Sequence, residues 1–492
     1  MSSIALSPAL DWPSSASDSK RASRGVSPLP LISLVMALIA VGFQLLSSLL
    51  TDPDDVINLW LPVALAAACV WAIVLLVDAD PLWMWSPLIT ALAAMGVYHG
   101  LGPLLHVFGD PTAIAYANQF APINPDELAR TNLLNAWSLA IILASFALCC
   151  RIHTGKKNVS SERSRGRSGS TMRLISWSMI AIALPIKYLV VMPYFLGWSD
   201  PDFVLPGFLA VLGNLSPLCL FLLLYHAWSR NAAFYLPAAI LFALELATGL
   251  LSFNKSEIII ALGVVFLGFY FMRPSKILAA TAISVIAIVY FVITPLVSRG
   301  RLYLTTNSAS ISERVEALES AWNVDHPDIS SSNVQGWWTR LCYSNAQAFC
   351  LRQHDAGMPG NTFELILPAI VPRVLWPDKP LMTPGFEFNQ LVTGNHRSSS
   401  AAGVFAEAYW NGGWPAVVIA CVYLGLLLNW FTRIAFNYVA ARDVRWLPFG
   451  IGGLLMGASI TDWFASTYVG GAFTYTAYFL LIKALLPRDR CR

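Results

Sequence analysis

Residues 277–297 read ILAATAISVIAIVYFVITPLV, a run of 21 residues without a charged side chain. As a helix rising about 1.5 Å per residue, this run spans roughly 31 Å, which matches the ~30 Å hydrocarbon core of a bilayer. Basic residues flank it, with Arg273 and Lys276 before it and Arg299 and Arg301 after it. Backbone polar groups in lipid must be satisfied within the segment, so the run predicts a membrane-spanning helix.

The composition extends this interpretation to the whole chain. Of its 492 residues, 56% are hydrophobic and only 12% are charged, with a net charge of +3. Soluble domains carry about 25% charged residues, so the deficit is explained by surface that faces lipid. The composition therefore excludes a string of soluble domains and predicts an integral membrane protein.

Twelve apolar stretches are long enough, or nearly long enough, to cross the bilayer as helices. They are 31–50, 57–77, 82–105, 132–150, 174–197, 204–228, 233–252, 258–272, 277–297, 413–432, 446–463 and 469–487. We therefore expect an all-α, polytopic protein with about 12 transmembrane helices. One long, partly helical connection, 298–412, separates the ninth helix from the tenth.

Lysine and arginine are distributed unevenly over the connections between these spans. Nineteen lie in the termini and alternate connections, seven of them in the loop 151–173, whereas the opposite short connections contain only Arg130 and Lys255. The positive-inside rule then predicts that both termini are cytoplasmic and that residues 298–412 are extracytoplasmic. The basic loop is expected to be a cytoplasmic linker beside anionic lipid, not a nucleic-acid site.

The predicted organisation has five parts. They are a cytoplasmic tail at 1–30, helices 1 to 9 at 31–297, the outer segment at 298–412, helices 10 to 12 at 413–487 and a cytoplasmic tail at 488–492. Lys187 and Glu245 lie at similar depths in their spans, so they could meet, and a structural ion pair is favoured over a proton or ion relay. Asp462 and His99 fall near outer helix ends, where they face an external cavity or snorkel.

The outer segment is rich in basic side chains although the positive-inside rule depletes them on this side. They are Arg299, Arg301, Arg314, Arg340, Arg352, Arg373, Lys379 and Arg397, together with His326, His354 and His396. Solvated surface is the simpler interpretation for Arg314 and Arg397. Cys342 and Cys350 could form a disulfide in an oxidising compartment, but only if no continuous helix joins them.

Two helices are predicted in the outer segment. Residues 310–322 form one, capped by Ser310 or Ser312. Residues 334–353 form an amphipathic one, whose Trp337, Leu341 and Ala348 would lie on the bilayer. Arg340 and Arg352 would then lie at the height of lipid headgroups, where a lipid-linked phosphate is found.

Two motifs follow these helices. In LPAIVPRVLWPDKP (367–380), three prolines hold Arg373 and Lys379 on a rigid, extended backbone that suits phosphate recognition, with a structural turn as the alternative. In GVFAEAYWNGG (403–413), Glu407 lies among apolar neighbours that should raise its pKa, which makes it a candidate general base. The alternative is a carboxylate at a helix start paired with an arginine. Tyr409 and Asn411 could orient a sugar.

These motifs, Pro-Arg-x-x-Trp-Pro-x-Lys-Pro and Glu-x-Tyr-x-Asn-x-Gly, and the long external loop resemble those of the Wzy-type polymerases of O-antigen and exopolysaccharide repeat units. The resemblance implies transfer of a growing glycan from undecaprenyl pyrophosphate to the next lipid-linked unit, at the outer face of the bacterial inner membrane. No cofactor or metal is implied. The implied partners are the lipid-linked oligosaccharide, membrane lipid and a co-polymerase that regulates chain length.

The resemblance also implies roles for individual residues. Arg373 and Lys379 would lie near the donor pyrophosphate, and Glu407 near the acceptor. The chemistry of such a transfer needs a base, which Glu407 or His354 could supply. It also needs cations to stabilise the leaving group, which could be Arg299, Arg301, Arg340 or Arg373. Lys255 stands where the family often has an arginine, which weakens a bidentate phosphate contact there.

Three other functions compete with this one. A multi-helix glycosyltransferase that uses polyprenyl-phosphate sugars would place its acids in the first external loop, where Asp52, Asp54 and Asp55 lie. An O-antigen ligase would differ in the acceptor. A transporter or flippase for lipid-linked sugar would require polar residues through the helix midplane, where only Lys187 and Glu245 lie deep.

Overall fold

The computed structural model describes fourteen ranges or single positions between Pro53 and Leu485. These are 53–154, 169–199, 205, 209, 212–213, 215–229, 232–304, 309–323, 336–371, 375–376, 378–379, 382–395, 399–440 and 447–485. Within these ranges all regular secondary structure is helical, which confirms the all-α class. The first predicted span, 31–50, lies outside the described residues, as does most of the basic loop.

Fifteen helical segments of the described residues are numbered in chain order, and the thirteenth is kinked at Gly412 and Gly413, where the backbone is not helical. They are α1 (Pro53–Ala79), α2 (Pro87–Met95), α3 (Pro111–Phe120), α4 (Pro125–Thr154), α5 (Gly169–Ile186), α6 (Ser216–Ser229), α7 (Tyr235–Leu251), α8 (Lys255–Met272), α9 (Lys276–Tyr303), α10 (Ile311–Trp322), α11 (Ser344–Asp355), α12 (Pro384–Thr393), α13 (Val404–Ala440), α14 (Leu447–Ala458) and α15 (Ala465–Leu485). Short helical turns extend α2 at Gly96–Leu101, α5 at Lys187–Val191 and Met192–Phe195, and α14 at Ser459–Thr461.

Eight described helices are long and apolar enough to cross a membrane. They are Val56–Ala79, Pro87–Phe108, Pro125–Cys149, Trp177–Phe195, Ala232–Leu251, Lys255–Met272, Lys276–Arg301 and Val404–Val439. Shorter apolar helices at Ser216–Trp228 and Phe449–Thr461 correspond to the sixth and eleventh predicted spans. The eight long helices indicate a multi-pass membrane protein.

Local sequence explains where several helices begin. Asp80, Ser86 and Asp110 each accept a hydrogen bond from a backbone N–H two residues ahead, and each is followed by a proline. A capping oxygen satisfies a free N–H of the first turn, and proline is suited to the first helical position because it has no N–H to satisfy. Polar caps followed by proline therefore set these starts.

Two apolar cores hold the helices together. The first is built from α1, α2, α4, α11, α13 and α15 around residues such as Leu61, Phe146 and Phe405. The second is built from α5 to α8 around Phe221 and Phe271. Since α13 and α14 contribute buried residues to both, they join the two cores into one packed body.

The deep pair expected from the sequence is confirmed. Lys187 Nζ lies 2.5 Å from Glu245 Oε2, and the two residues are 6% and 1% exposed. Tyr188 and Ser216 donate hydrogen bonds to the other carboxylate oxygen. The carboxylate thus joins α5, α6 and α7.

The outer segment packs against one end of the helical bundle. Trp338 Nε1 donates to the Leu101 carbonyl at 2.8 Å, in the last residue of the turn Gly96–Leu101 that extends α2. Arg314 on α10 donates to the carbonyls of Leu251 and Leu196, each at 3.0 Å, at the ends of α7 and the extended α5. These contacts fix the outer segment over helix ends that the sequence predicts to be extracytoplasmic.

Two expectations for the outer segment are corrected and one is confirmed. Arg314 is not solvated surface, because it is 4% exposed and caps helix carbonyls. The helix expected at 334–353 breaks before Ser344, and Leu341 and Ala348 are buried in the protein rather than laid on the bilayer. Ser310 does cap α10, in a reciprocal capping box with Glu313.

Candidate functional site

Three of the basic residues predicted to bind substrate come together from three different elements. Lys255 begins α8, Arg301 lies in the last turn of α9, and Arg340 follows the short helix Gly336–Thr339. The charge of Lys255 interacts with those of Arg340 and Arg301, and Arg301 interacts with Arg340. Among the described residues none of the three forms an ion pair. Among the described residues, therefore, no paired carboxylate neutralises this cation cluster.

The backbone at Phe253 holds the cation cluster in place. Phe253 has a φ of 49°, in the left-handed region that costs a non-glycine residue about 1–3 kcal/mol. Its carbonyl accepts hydrogen bonds from Arg301 Nε at 3.0 Å and Nη2 at 2.6 Å. The strained turn at Phe253, two residues before Lys255, therefore fixes the guanidinium of Arg301.

Aromatic rings lie on two of the elements that carry the cation cluster. Lys255 Nζ lies 4.9 Å from the centroid of the Tyr290 ring, within range of a cation–π interaction. Trp337 stacks on Trp338 with centroids 5.4 Å apart and meets Phe291 edge-on. These rings come from α9 and the turn before Arg340, so they tie two of the cation-bearing elements together.

Arg299 lies near the same end of α9, two residues before Arg301. Its Nε is buried and has no hydrogen-bond partner in the described structure. A buried N–H without a partner costs free energy that a bound acceptor would recover. Arg299 is thus the fourth predicted residue at this end of the bundle that can donate to an anion.

A carboxylate adjoins the cation cluster on one side. Asp462 follows the turn Ser459–Thr461 that ends the eleventh apolar stretch, and its charge interacts with Lys255 and with the hydroxyls of Tyr98 and Tyr343. Its Oδ1 is buried and has no hydrogen-bond partner among the described residues. Asp462 therefore has an unused acceptor near Lys255 of the cation cluster.

A cavity of about 370 Å³ opens beside Asp462. Its lining includes six residues with carboxyl or hydroxyl side chains, namely Tyr343, Thr383, Ser399, Ser400, Asp462 and Thr467. Phe386, Trp463 and Phe464 supply aromatic walls. Burial raises the pKa of Tyr343 well above its usual range, and the Asp462 charge adds to this, so that its phenol stays protonated as a donor.

Glu407 is enclosed by protein and has no access to solvent. It is 0% exposed, its Oε1 accepts from Thr362 Oγ1 at 2.6 Å, and its Oε2 accepts from the Ala465 backbone N–H at 2.5 Å. Asn411 holds the threonine that donates to Glu407. It donates to Thr362 Oγ1 at 2.8 Å and accepts from the Phe363 N–H at 3.2 Å. Neither partner of Glu407 is an arginine. Its carboxylate joins α13 to the first residue of α15.

His354 and Tyr409 lie together in another cluster. Their rings are 5.2 Å apart, and His354 Nδ1 lies 3.1 Å from the Trp410 carbonyl. Tyr409 donates to Asp355 at 3.1 Å, and Asp355 also pairs with Arg130 at 2.5 Å. The cluster links α4, α11 and the start of α13.

The remaining predicted cations lie apart or outside the described residues. Arg352 pairs with Glu127 at 2.8 Å beside a cavity of about 130 Å³, so a carboxylate already neutralises it. Lys379 donates to the Val371 carbonyl at 3.0 Å. Arg373 lies outside the described residues, as do Arg397, His326 and His396. Cys342 and Cys350 are free thiols, and burial raises the pKa of Cys342 to about 11.

Sequence reasoning did not include Asp462 and Tyr343 among the site residues. The signal available for Asp462 was a carboxylate at the outer end of a predicted span, which has more than one interpretation. For Tyr343 the sequence predicted one continuous helix over 334–353, so the turn that brings this residue near Asp462 was not expected. Both residues become recognisable only when the outer segment is packed on the helix ends.

The fold and this cluster define a multi-pass, all-α membrane protein with a polar, cationic site at one end of its helices. Residues 180–440 match a family model described as "Domain of unknown function (DUF8712)". The match covers more than half of the chain, and the chain belongs to this family. It includes Lys255, Arg301, Arg340 and Glu407 and ends before Asp462.

No curated protein and no solved structure matches the chain. The family match carries no assignment to the repeat-unit polymerases. That resemblance therefore stays a prediction.

Proposed function

We propose that this protein is a membrane glycosyltransferase that polymerises lipid-linked oligosaccharide repeat units at the outer face of the bacterial inner membrane. It transfers the growing glycan from undecaprenyl pyrophosphate to the next repeat unit. The observation that carries the proposal is the cation cluster of Lys255, Arg301 and Arg340, which has no carboxylate ion pair among the described residues.

The cluster suits the chemistry of such a transfer. Breaking a bond between a sugar and pyrophosphate develops negative charge on the leaving group, and fixed cations stabilise that charge more in a partly dehydrated site than in water. Arg301 is already oriented by Phe253, so little reorganisation is needed when charge develops. A diphosphate also has enough oxygens to engage several donors at once.

The position of the cluster is consistent with a lipid-linked donor. Lys255 and Arg301 lie at helix ends that the sequence predicts to face outward, at the depth of headgroups. The proposal includes the full predicted topology of twelve spans, with both termini cytoplasmic and 298–412 outside. The contact of Trp338 with Leu101 supports one part of this topology, the packing of the outer segment on a single end of the bundle.

A flippase is less well supported. Transport through the bilayer needs polar groups at the midplane, and the deep charges Lys187 and Glu245 are already paired with each other. An O-antigen ligase would use the same donor site. It differs in transferring the glycan once, to another acceptor, so its product would be a single band.

The test uses purified protein in lipid nanodiscs, with lipid-linked oligosaccharide extracted from a strain of the source bacterium that lacks this protein. We expect a ladder of products. Lys255→Gln, Arg301→Gln and Arg340→Gln should each lower the rate by roughly 10- to 100-fold, because a hydrogen bond to a charged group contributes about 1.5–3 kcal/mol.

Arg273→Gln is the matched control, because Arg273 is exposed at the opposite end of α8. It should leave the ladder unchanged. A single transfer would point to a ligase. No product from the wild-type protein, or equal losses in the control and cluster variants, would contradict the proposal.

A further inference from the structure

Asp462 lies where the cavity and the cation cluster meet. It lines the cavity of about 370 Å³, and its charge interacts with Lys255 of the cluster. A group in this position borders the contents of the cavity on one side and interacts with the charge of Lys255 on the other. In a glycosyl transfer those two sides would hold the acceptor and the leaving group.

We infer that Asp462 is the catalytic base and that the cavity beside it binds the acceptor sugar. This inference rests on the proposed glycosyltransferase function. The Asp462 carboxylate takes the proton of the acceptor hydroxyl while that oxygen forms a bond to the anomeric carbon of the donor. The bond from that carbon to the pyrophosphate oxygen breaks, and the electron pair leaves with the lipid pyrophosphate beside the cation cluster.

The contacts of Asp462 support this role. A structural carboxylate normally has its oxygens satisfied, whereas Asp462 Oδ1 is buried with no hydrogen-bond partner among the described residues. A hydroxyl bound in the cavity would supply the missing donor. The proton it gives up leaves Asp462 neutral, and release to the outer solvent restores the carboxylate.

The lining of the cavity suits a carbohydrate. Sugars present many hydroxyls around apolar ring faces, and the cavity combines hydroxyls from Thr383, Ser399 and Ser400 with aromatic walls from Phe386 and Trp463. Its volume lies within the range of about 300–1,000 Å³ that is usual for small-molecule sites. The cavity therefore fits a sugar unit better than a lipid chain, which would need apolar walls throughout.

Glu407 is a positioning residue for this base. Its Oε2 accepts from the Ala465 N–H, three residues after Asp462, and so fixes the start of α15. Gly403, with a φ of 78°, packs so closely that an added Cβ would lie 2.3 Å from the Thr461 carbonyl oxygen. Residues at the start of α13 thus contact the chain both before and after Asp462, at Thr461 and at Ala465.

The other predicted bases are less suited to the reaction. Glu407 is fully buried, and both its oxygens accept hydrogen bonds within the protein. His354 contacts the Trp410 carbonyl and the Tyr409 ring in a cluster whose acid, Asp355, is paired with Arg130. Neither residue lines the cavity beside Asp462.

The experiment compares Asp462→Asn and Asp462→Ala with the wild-type protein in the ladder assay. We expect both variants to lower kcat by roughly 10²- to 10⁴-fold, the usual effect of losing a general base. Binding of undecaprenyl pyrophosphate should change less than about threefold, which also shows that the variants fold. Added formate should restore part of the rate to Asp462→Ala, because a small carboxylate can enter the vacated space.

Glu407→Ala and Glu316→Gln complete the design. Glu407→Ala should lower kcat without rescue by formate, because it displaces the base rather than removing it. Glu316 is an exposed carboxylate on α10, so Glu316→Gln should behave as wild type. A wild-type ladder with an unchanged Asp462→Asn rate would overturn the role of Asp462 alone. Absence of any ladder from wild type would overturn the proposed function and this inference with it.

Discussion

At the scale of single residues, the most constrained contact is between Phe253 and Gly300. Phe253 is 1% exposed, and its ring lies against Gly300 so closely that an added Cβ would come within 1.9 Å of it. The Phe253 carbonyl holds Arg301, the next residue along α9. A glycine one residue before the arginine therefore permits the turn that orients that arginine.

Gly300→Ala should consequently destabilise the protein by about 1–3 kcal/mol, the usual cost of overpacking, and weaken binding of undecaprenyl pyrophosphate. Gly263→Ala in α8 is the matched control, since no atom lies within 4 Å of its added Cβ. The control should be neutral or slightly stabilising. Denaturation in detergent and a donor-binding assay measure both effects, and equal results for the two variants would contradict this account of Phe253.

At the scale of helices, the buried pair of Lys187 and Glu245 joins three elements. Ser216 on α6 and Tyr188 beside Lys187 complete the hydrogen bonds of the carboxylate on α7. Glu257 on α8 is close enough for its charge to interact with both members of the pair. The pair is a structural link between helices, because both carboxylate oxygens of Glu245 already accept hydrogen bonds from protein donors.

Lys187→Met alone should destabilise the protein by about 3–5 kcal/mol, because it leaves a buried carboxylate without its counter-charge. The double variant Lys187→Met with Glu245→Gln should recover most of that loss, since glutamine can still accept from Ser216 and Tyr188. Thermal unfolding measures stability, and the ladder assay measures activity. If the double variant folds but makes no ladder, the pair has a role in the reaction beyond packing.

At the scale of the whole molecule, the proposed topology assigns opposite faces to the two ends of the bundle. The described outer segment contacts a single set of helix ends, including those of α7 and the extended α5. Arg273 lies at the other end of α8 from Lys255. The protein therefore offers exposed positions that report on each face separately.

Glu316→Cys on α10 should react with a membrane-impermeant maleimide in intact spheroplasts, whereas Arg273→Cys should react only after permeabilisation. Both positions are exposed. Background labelling is expected to be low at native thiols such as Cys350, because it is buried with a pKa raised well above the usual range. Labelling of Arg273→Cys but not Glu316→Cys in intact spheroplasts would reverse the topology and remove the proposed outer active site.

Much of the fold could be predicted from the sequence, because membrane spans are determined by local hydrophobicity. The depths of Lys187 and Glu245 along two helices also predicted that these residues could meet. The break before Ser344 did not, since the apolar face of 334–353 is compatible with one continuous helix until tertiary packing buries Leu341 and Ala348. The site was predicted in part: the sequence named Lys255, Arg301 and Arg340 as donors to phosphate but did not group them.

The sequence by itself determined the all-α class, the approximate spans and the surplus of cations near one set of helix ends, because each depends on residues close together in the chain. Tertiary structure alone decided which cations meet and where each carboxylate lies. Glu407 and Asp462 are both acids beside apolar residues in sequence. Packing gives Glu407 two internal donors and leaves Asp462 with a free acceptor beside a cavity, because contacts between distant helices set those surroundings.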